Sequence, residues 1–156
     1  MMRRLSGVLL ACAMFLIPAF SHGHGDLYAQ QPPQKTTFTG DVVVMAYAIN
    51  PDKTADYEKV IAQLKDALSK SEAPEAKQQL AGWKVIKNAM PNPDGSIVYI
   101  HIISPVVKDA DYSIMNNIYT AVKDPAAAKA VFDMYRGAMK QALFVIQGPL
   151  VADLSK

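Results

Sequence analysis

The segment from Ile97 to Ser104, IVYIHIIS, constrains the fold more than any other stretch, because it is apolar on both alternating sides. Ile97, Tyr99, His101 and Ile103 alternate with Val98, Ile100 and Ile102, so a strand made of them must bury both its faces. Upstream lies a second strand-like run, Trp83 to Asn88, and between the two sits Pro91-Asn92-Pro93-Asp94-Gly95. Asp-Gly supplies residues that tolerate positive φ, so Gly82 to Ser104 reads as a β-hairpin. The hairpin also holds the chain's single Trp, and the only His beyond residue 24.

The remaining elements follow from periodicity. Asp41 to Ala48, DVVVMAYA, is β-branched and aromatic and reads as another strand buried on most of both faces. Asn50-Pro51-Asp52 stops it, and Thr54 is placed to cap a helix whose Tyr57, Val60, Ile61, Leu64 and Leu68 share one face. Ser71 to Ala81 reads as a short second helical piece, with Gly82 taking a left-handed C-terminal conformation. Asp109 or Asp111 caps a helix over Tyr112 to Val122, and Asp124-Pro125 restarts it with an N-cap followed by proline at the first helical position. Val131, Phe132, Tyr135, Ala138, Met139, Ala142 and Leu143 keep the helical period; Ala142 to Ile146 reads either as the last turn of this helix or as the start of a strand, and a last strand is expected within Phe144 to Asp153.

The amino terminus reads differently. Arg3 and Arg4 precede an uncharged run, Leu5 to Phe20, that is shorter than the ~20 residues of a spanning helix and is followed by a polar stretch. This is the layout of a signal peptide, expected over residues 1–29, and it implies export to a periplasmic or extracellular location. Residues 30–39, QQPPQKTTFT, are polar, proline-bearing and aperiodic, which suits a flexible linker, and the folded domain is expected over residues 40–156. Cys12 falls within the apolar run, so the expected exported part has no cysteine and must be stabilised by its core and by association. His22-Gly23-His24 would form an amino-terminal copper-type site only if cleavage fell just before it.

Charge narrows the partners. Of 16 basic and 14 acidic residues, Arg3, Arg4 and Asp26 lie before residue 30, which leaves 14 against 13. A near-neutral domain lacks the basic footprint of a nucleic-acid or anionic-membrane binder, and no membrane association is expected after signal cleavage.

The order β-α-β-β-α-β is that of an α+β, ferredoxin-like domain: a four-stranded antiparallel sheet with its helices on one face. Strands apolar on both faces then need a cover for the other side. In this the chain resembles the dimeric α+β barrel superfamily, which includes antibiotic-biosynthesis-monooxygenase-like domains. Within it, GWKVIK, SPVVKDADY and the ending LVADLSK give a likeness to small secreted bacterial proteins of unassigned function. The resemblance spans residues 40–156. It implies a homodimer whose sheets pack face to face, with a cavity between each sheet and its own helices. It does not imply one activity, since members include oxygenases, haem-degrading enzymes and proteins with no known activity.

The residues that bear chemistry are few. His101 is a candidate general base or haem ligand if the protein is an enzyme, and otherwise a core histidine held by hydrogen bonds. Trp83 and Tyr99, on adjacent strands, are candidate walls for a flat ligand, with Tyr47 as a further lining residue. Tyr57, Tyr112, Tyr119 and Tyr135 add phenols on the helices. Asp109 and Asp111 are better explained as caps than as a catalytic pair, and Met115, Met134 and Met139 as core filling. No nucleophile elbow, Walker loop, dinucleotide fingerprint, H-E-x-x-H or C-x-x-C is present, and neither a metal nor a cofactor is expected. The expectation is therefore an exported homodimeric domain that binds a small apolar or aromatic ligand. The alternatives are a cofactor-independent monooxygenase or haem-modifying enzyme of the same superfamily, and an interaction protein that uses its open sheet face.

Overall fold

The computed structural model describes residues 34–154; the segment expected to be a signal peptide, residues 1–29 with Cys12, His22 and His24, lies outside the described residues. In chain order the elements are β1 (Val42–Ile49), a 3₁₀ turn (Pro51–Lys53), α1 (Thr54–Lys70), α2 (Ala76–Gly82), β2 (Trp83–Lys87), β3 (Ile97–Ile103), α3 (Ile114–Ala121), α4 (Pro125–Ala138) and β4 (Met139–Gly148). The four strands form one antiparallel sheet in the order β2-β3-β1-β4. The class is α+β, with a sheet compatible with a ferredoxin-like fold. No helix among the described residues is long and apolar enough to cross a membrane.

Residues paired across antiparallel strands share a face, so the register sorts the sheet into two sides. One side carries Trp83 and Val85 of β2, Tyr99, His101 and Ile103 of β3, and Val43, Met45, Tyr47 and Ile49 of β1. Helix α1 lies on this side and buries Tyr57, Val60, Leu64, Ala67 and Leu68. Its core merges with Ile114, Met115 and Ile118 of α3 and Val131 of α4. The other side carries Ile86, Val98, Ile100, Ile102, Val44, Ala46, Phe144 and Ile146. Along β4, Leu143, Phe144, Val145 and Ile146 are all exposed.

Several local expectations are corrected. The last helix stops at Ala138, although Met139, Ala142 and Leu143 continue its period. β1 leaves a row of backbone groups unpaired, and a ten-residue strand beginning at Met139 satisfies them, so sheet pairing overrides the helical pattern. Asn50 seals the switch: its backbone N–H donates to Ala138 O and its side-chain amide to Gly137 O. Thr54 is the first residue of α1 instead of its cap; Lys53 occupies the cap position without a side-chain capping bond. Ser113, not Asp109 or Asp111, caps α3, its hydroxyl accepting from Asn116 N.

Gly82 is not left-handed, since among the described residues the only glycine with positive φ is Gly95 in the hairpin turn. The demand at Gly82 is for space, because a Cβ there would stand 2.9 Å from Pro105 O. Asp124 does cap α4, accepting from Ala126 N and Ala127 N ahead of Pro125. Residues 30–39 suit a linker by composition, yet their described part is docked. Thr36 N donates to Asp111 Oδ1, Tyr112 N donates to Thr36 O, and Phe38 is buried against the Tyr112 ring.

Candidate functional site

His101 lies in the middle of β3, flanked by Val85 on β2 and Met45 on β1, and it is fully buried beneath α1. Both ring nitrogens are engaged. Trp83 donates its indole N–H to His101 Nδ1 at 3.0 Å, and Tyr57 Oη is 2.8 Å from Nε2. An indole N–H can only donate, so Nδ1 must be the acceptor and the neutral imidazole carries its proton on Nε2. That proton is donated to Tyr57 Oη, so the Tyr57 hydroxyl is the acceptor in this contact.

The direction of these bonds fixes the charge of the site. An imidazolium would place a proton on Nδ1 facing the indole N–H, so protonation breaks the contact. Burial acts in the same sense and lowers the His101 pKa to about 4. The phenols shift the other way: burial pushes Tyr57 far above its ordinary value, with help from Tyr135, Tyr47 and Tyr99, and raises Tyr135 to about 12. Tyr47 is raised by burial too. His101 at neutral pH is therefore an uncharged, doubly bonded imidazole among protonated phenols.

The candidate residues form two layers. Tyr47 meets the His101 ring edge-on at 5.3 Å, on the side away from Trp83, with its hydroxyl 3.5 Å from Met45 Sδ. Tyr57 joins them from α1 and stands edge-on to Tyr99 at 4.9 Å and stacked with Tyr135 at 6.4 Å. Trp83 and Tyr99 do not form one wall. Trp83 pairs with Ile103 and Tyr99 with Lys87, so Val85 and His101 occupy the row between them.

Two depressions open along the β2 edge. The larger, about 370 Å³, is lined by Ile61, Leu64, Lys65 and Leu68 of α1, Leu80 of α2, and Trp83 and Val85 of β2. A smaller one, about 210 Å³, is lined by Glu58, Ile61, Val85, Lys87 and Tyr99, and shares two residues with the first. Together they form a groove between α1 and β2 with an apolar body and one polar end. At that end Tyr99 Oη donates to Glu58 Oε1 at 2.6 Å and Lys87 Nζ donates to the same oxygen at 2.9 Å. The Tyr99 hydroxyl first, and Lys87 next, hold the Glu58 carboxyl below its usual range.

A hollow of about 400 Å³ between the end of α1 and α3 is larger, but it is lined by Lys70, Glu72, Thr120 and Lys123 with no aromatic side chain. Among the described residues no cluster of three or more His, Cys, Asp or Glu is arranged to hold a metal.

Sequence reasoning placed Trp83, Tyr99, His101 and Tyr47 near one another but gave no role to Ile61, Leu80 or Lys65, and left Tyr57 among the unassigned phenols. The signal for Tyr57 was present, since it is the one aromatic residue on the apolar face of α1. The chain matches no protein-family model, no curated protein and no solved structure.

Proposed function

We propose that the chain is an exported, homodimeric domain of ferredoxin-like, dimeric α+β barrel type that holds a small apolar or aromatic ligand in the groove between α1, α2 and β2. The observation that carries this reading is the state of Trp83. Its N–H is already donated to His101, so the half-buried indole offers the groove only carbon surface. An aromatic face without a free polar edge favours apolar or planar ligands over sugars and ions. Ile61, Leu64, Leu68, Leu80 and Val85 continue the same chemistry around it.

The homodimer is supported by the sheet's second side. A monomer rarely exposes a continuous apolar patch above about 300–600 Å². Here Ile86, Phe144 and Ile146 are exposed, Val44, Ile100 and Ile102 are half-buried, and Lys84 is the one charge in the register rows they occupy. A self-complementary, two-fold packing of two such sides is the simplest cover. The lone pair that a monooxygenase or haem-modifying role for His101 would use is already taken by the Trp83 N–H, so binding without catalysis accords better with its geometry.

Native mass spectrometry of protein purified from its own host, before and after organic extraction, tests the reading. The expected result is a dimer carrying a small molecule that extraction removes, with Trp83 emission shifting as it leaves. A monomer that carries nothing, and whose emission ignores a panel of apolar and aromatic probes, overturns it.

A further inference from the structure

The groove has an electrical asymmetry that its apolar walls do not explain. Glu58 is its only carboxylate, and that charge is neutralised by Lys87 at 2.9 Å. Lys65, on the α1 rim beside Leu64, has no ion-pair or hydrogen-bond partner among the described residues, whereas the other lysines of α1 do: Lys59 pairs with Asp56 and Lys70 with Asp66. An apolar slot whose sole uncompensated charge is an ammonium complements an amphiphile with an anionic head. We propose that the ligand class of this groove is an anionic amphiphile, a monocarboxylate whose apolar tail lies along Trp83, Val85 and Leu68 and whose carboxylate meets Lys65. This rests on the groove being the ligand site, and it adds what the ligand's charge must be.

Size agrees with a single medium-length tail. From Ile61 to Leu68 the helix rises about 10 Å over seven residues, and a cavity of about 370 Å³ is at the small end of ligand sites. Lys65 is exposed, so the ammonium swings on its four-carbon stem without disturbing the core, and its long apolar part covers the tail while the head stays in water. Lys87 is less suited to the head, because taking it away would leave Glu58 with only the Tyr99 hydroxyl.

The test uses decanoate and decanol, which share a tail and differ in charge, titrated into the full chain below micellar concentration with Trp83 emission and calorimetry as readouts. Decanoate should bind about threefold or more tightly than decanol, added salt should erase that preference, and Lys65→Gln should erase it too, by weakening decanoate more than decanol. Equal binding of both probes, with no effect of Lys65→Gln, overturns the anionic class and leaves the groove reading standing. Failure of both probes to bind or to move Trp83 emission removes the groove reading and this inference together. Because Lys65 is exposed and partnerless, its substitution leaves the fold intact, and unchanged thermal unfolding verifies that.

Discussion

The two sides of the sheet differ in what they ask of their neighbours. The helix side interleaves aliphatic residues with Tyr47, Tyr99, His101 and Trp83, and every one of those polar atoms is given a partner. Such a side accepts one cover only, since Tyr57 must bring its hydroxyl to His101 Nε2. Along β1 and β3 the bare side is aliphatic, with Ala46 and Ala48 at its centre and no hydrogen-bonding side chain to fix a partner's register; Lys84 and Gln141 lie only on its flanking strands, beside Phe144 and Ile146. Hydrogen bonds to buried groups are costly to leave unmade, so they specify geometry, while aliphatic contact is non-directional. One sheet thus carries a side that dictates its cover and a side that only requires one.

The largest effect that sharpens this contrast is at Tyr57. Tyr57→Ala removes a fully buried aromatic ring and should cost about 4 kcal/mol, the usual range for deleting a buried aromatic side chain. Tyr57→Phe keeps the ring but orphans the His101 N–H, for a loss of about 1–3 kcal/mol. Urea unfolding followed by circular dichroism measures both. If Tyr57→Phe were neutral, the hydrogen-bonded relay would not be what distinguishes the helix side.

Acid should weaken the same side. His101 has a folded pKa of about 4 against an ordinary 6.5, so the native state disfavours the charged form. Its contribution is fully present above pH 6.5, falls as the unfolded state takes up its proton, and is lost by about pH 4. Across that window the gap amounts to about 3 kcal/mol. His101→Gln should be less stable at pH 7 yet show a flatter profile between pH 6.5 and 5. Subtracting the two profiles isolates His101 from His22, His24 and the carboxylates. Parallel profiles would mean that His101 titrates normally and that its two bonds are dispensable.

This division was partly legible in the sequence. The alternation of β3 announced a strand with two apolar sides, and Asp124-Pro125 and Asp94-Gly95 marked the start of α4 and the hairpin turn. Which side His101 faced was not legible, because alternation fixes the spacing of faces but not their assignment. The end of α4 was hidden for a different reason: Met139, Ala142 and Leu143 satisfy the helical period, while the choice of strand is made by unpaired groups on β1, almost a hundred residues away. Phe38 was obscured by its polar neighbours, and only the tertiary contact with Tyr112 reveals why a proline-bearing stretch is tied down. The Trp83–His101–Tyr57 relay could be read in part, since Trp83 and His101 share a hairpin, but its third member arrives from a helix 44 residues away in sequence.

The smallest effect on the chain's own stability is expected on the bare side, where the comparison is most open to being broken. Phe144→Glu combined with Ile146→Lys places charge at two exposed positions of β4 and should change the stability of a single chain by no more than about 0.5 kcal/mol, as surface substitutions do. The proposed second copy makes a different demand. Association stabilises a protein by mass action, so the unfolding midpoint of the unsubstituted protein should rise with its concentration, and that of the double variant should not. Light scattering should give twice the chain mass for the former and the single chain mass for the latter. A concentration-independent midpoint and a monomeric mass for the unsubstituted protein would leave Ile86, Phe144 and Ile146 open to water. The bare side would then belong to a different partner, and the requirement for a cover would pass from a second copy to another chain.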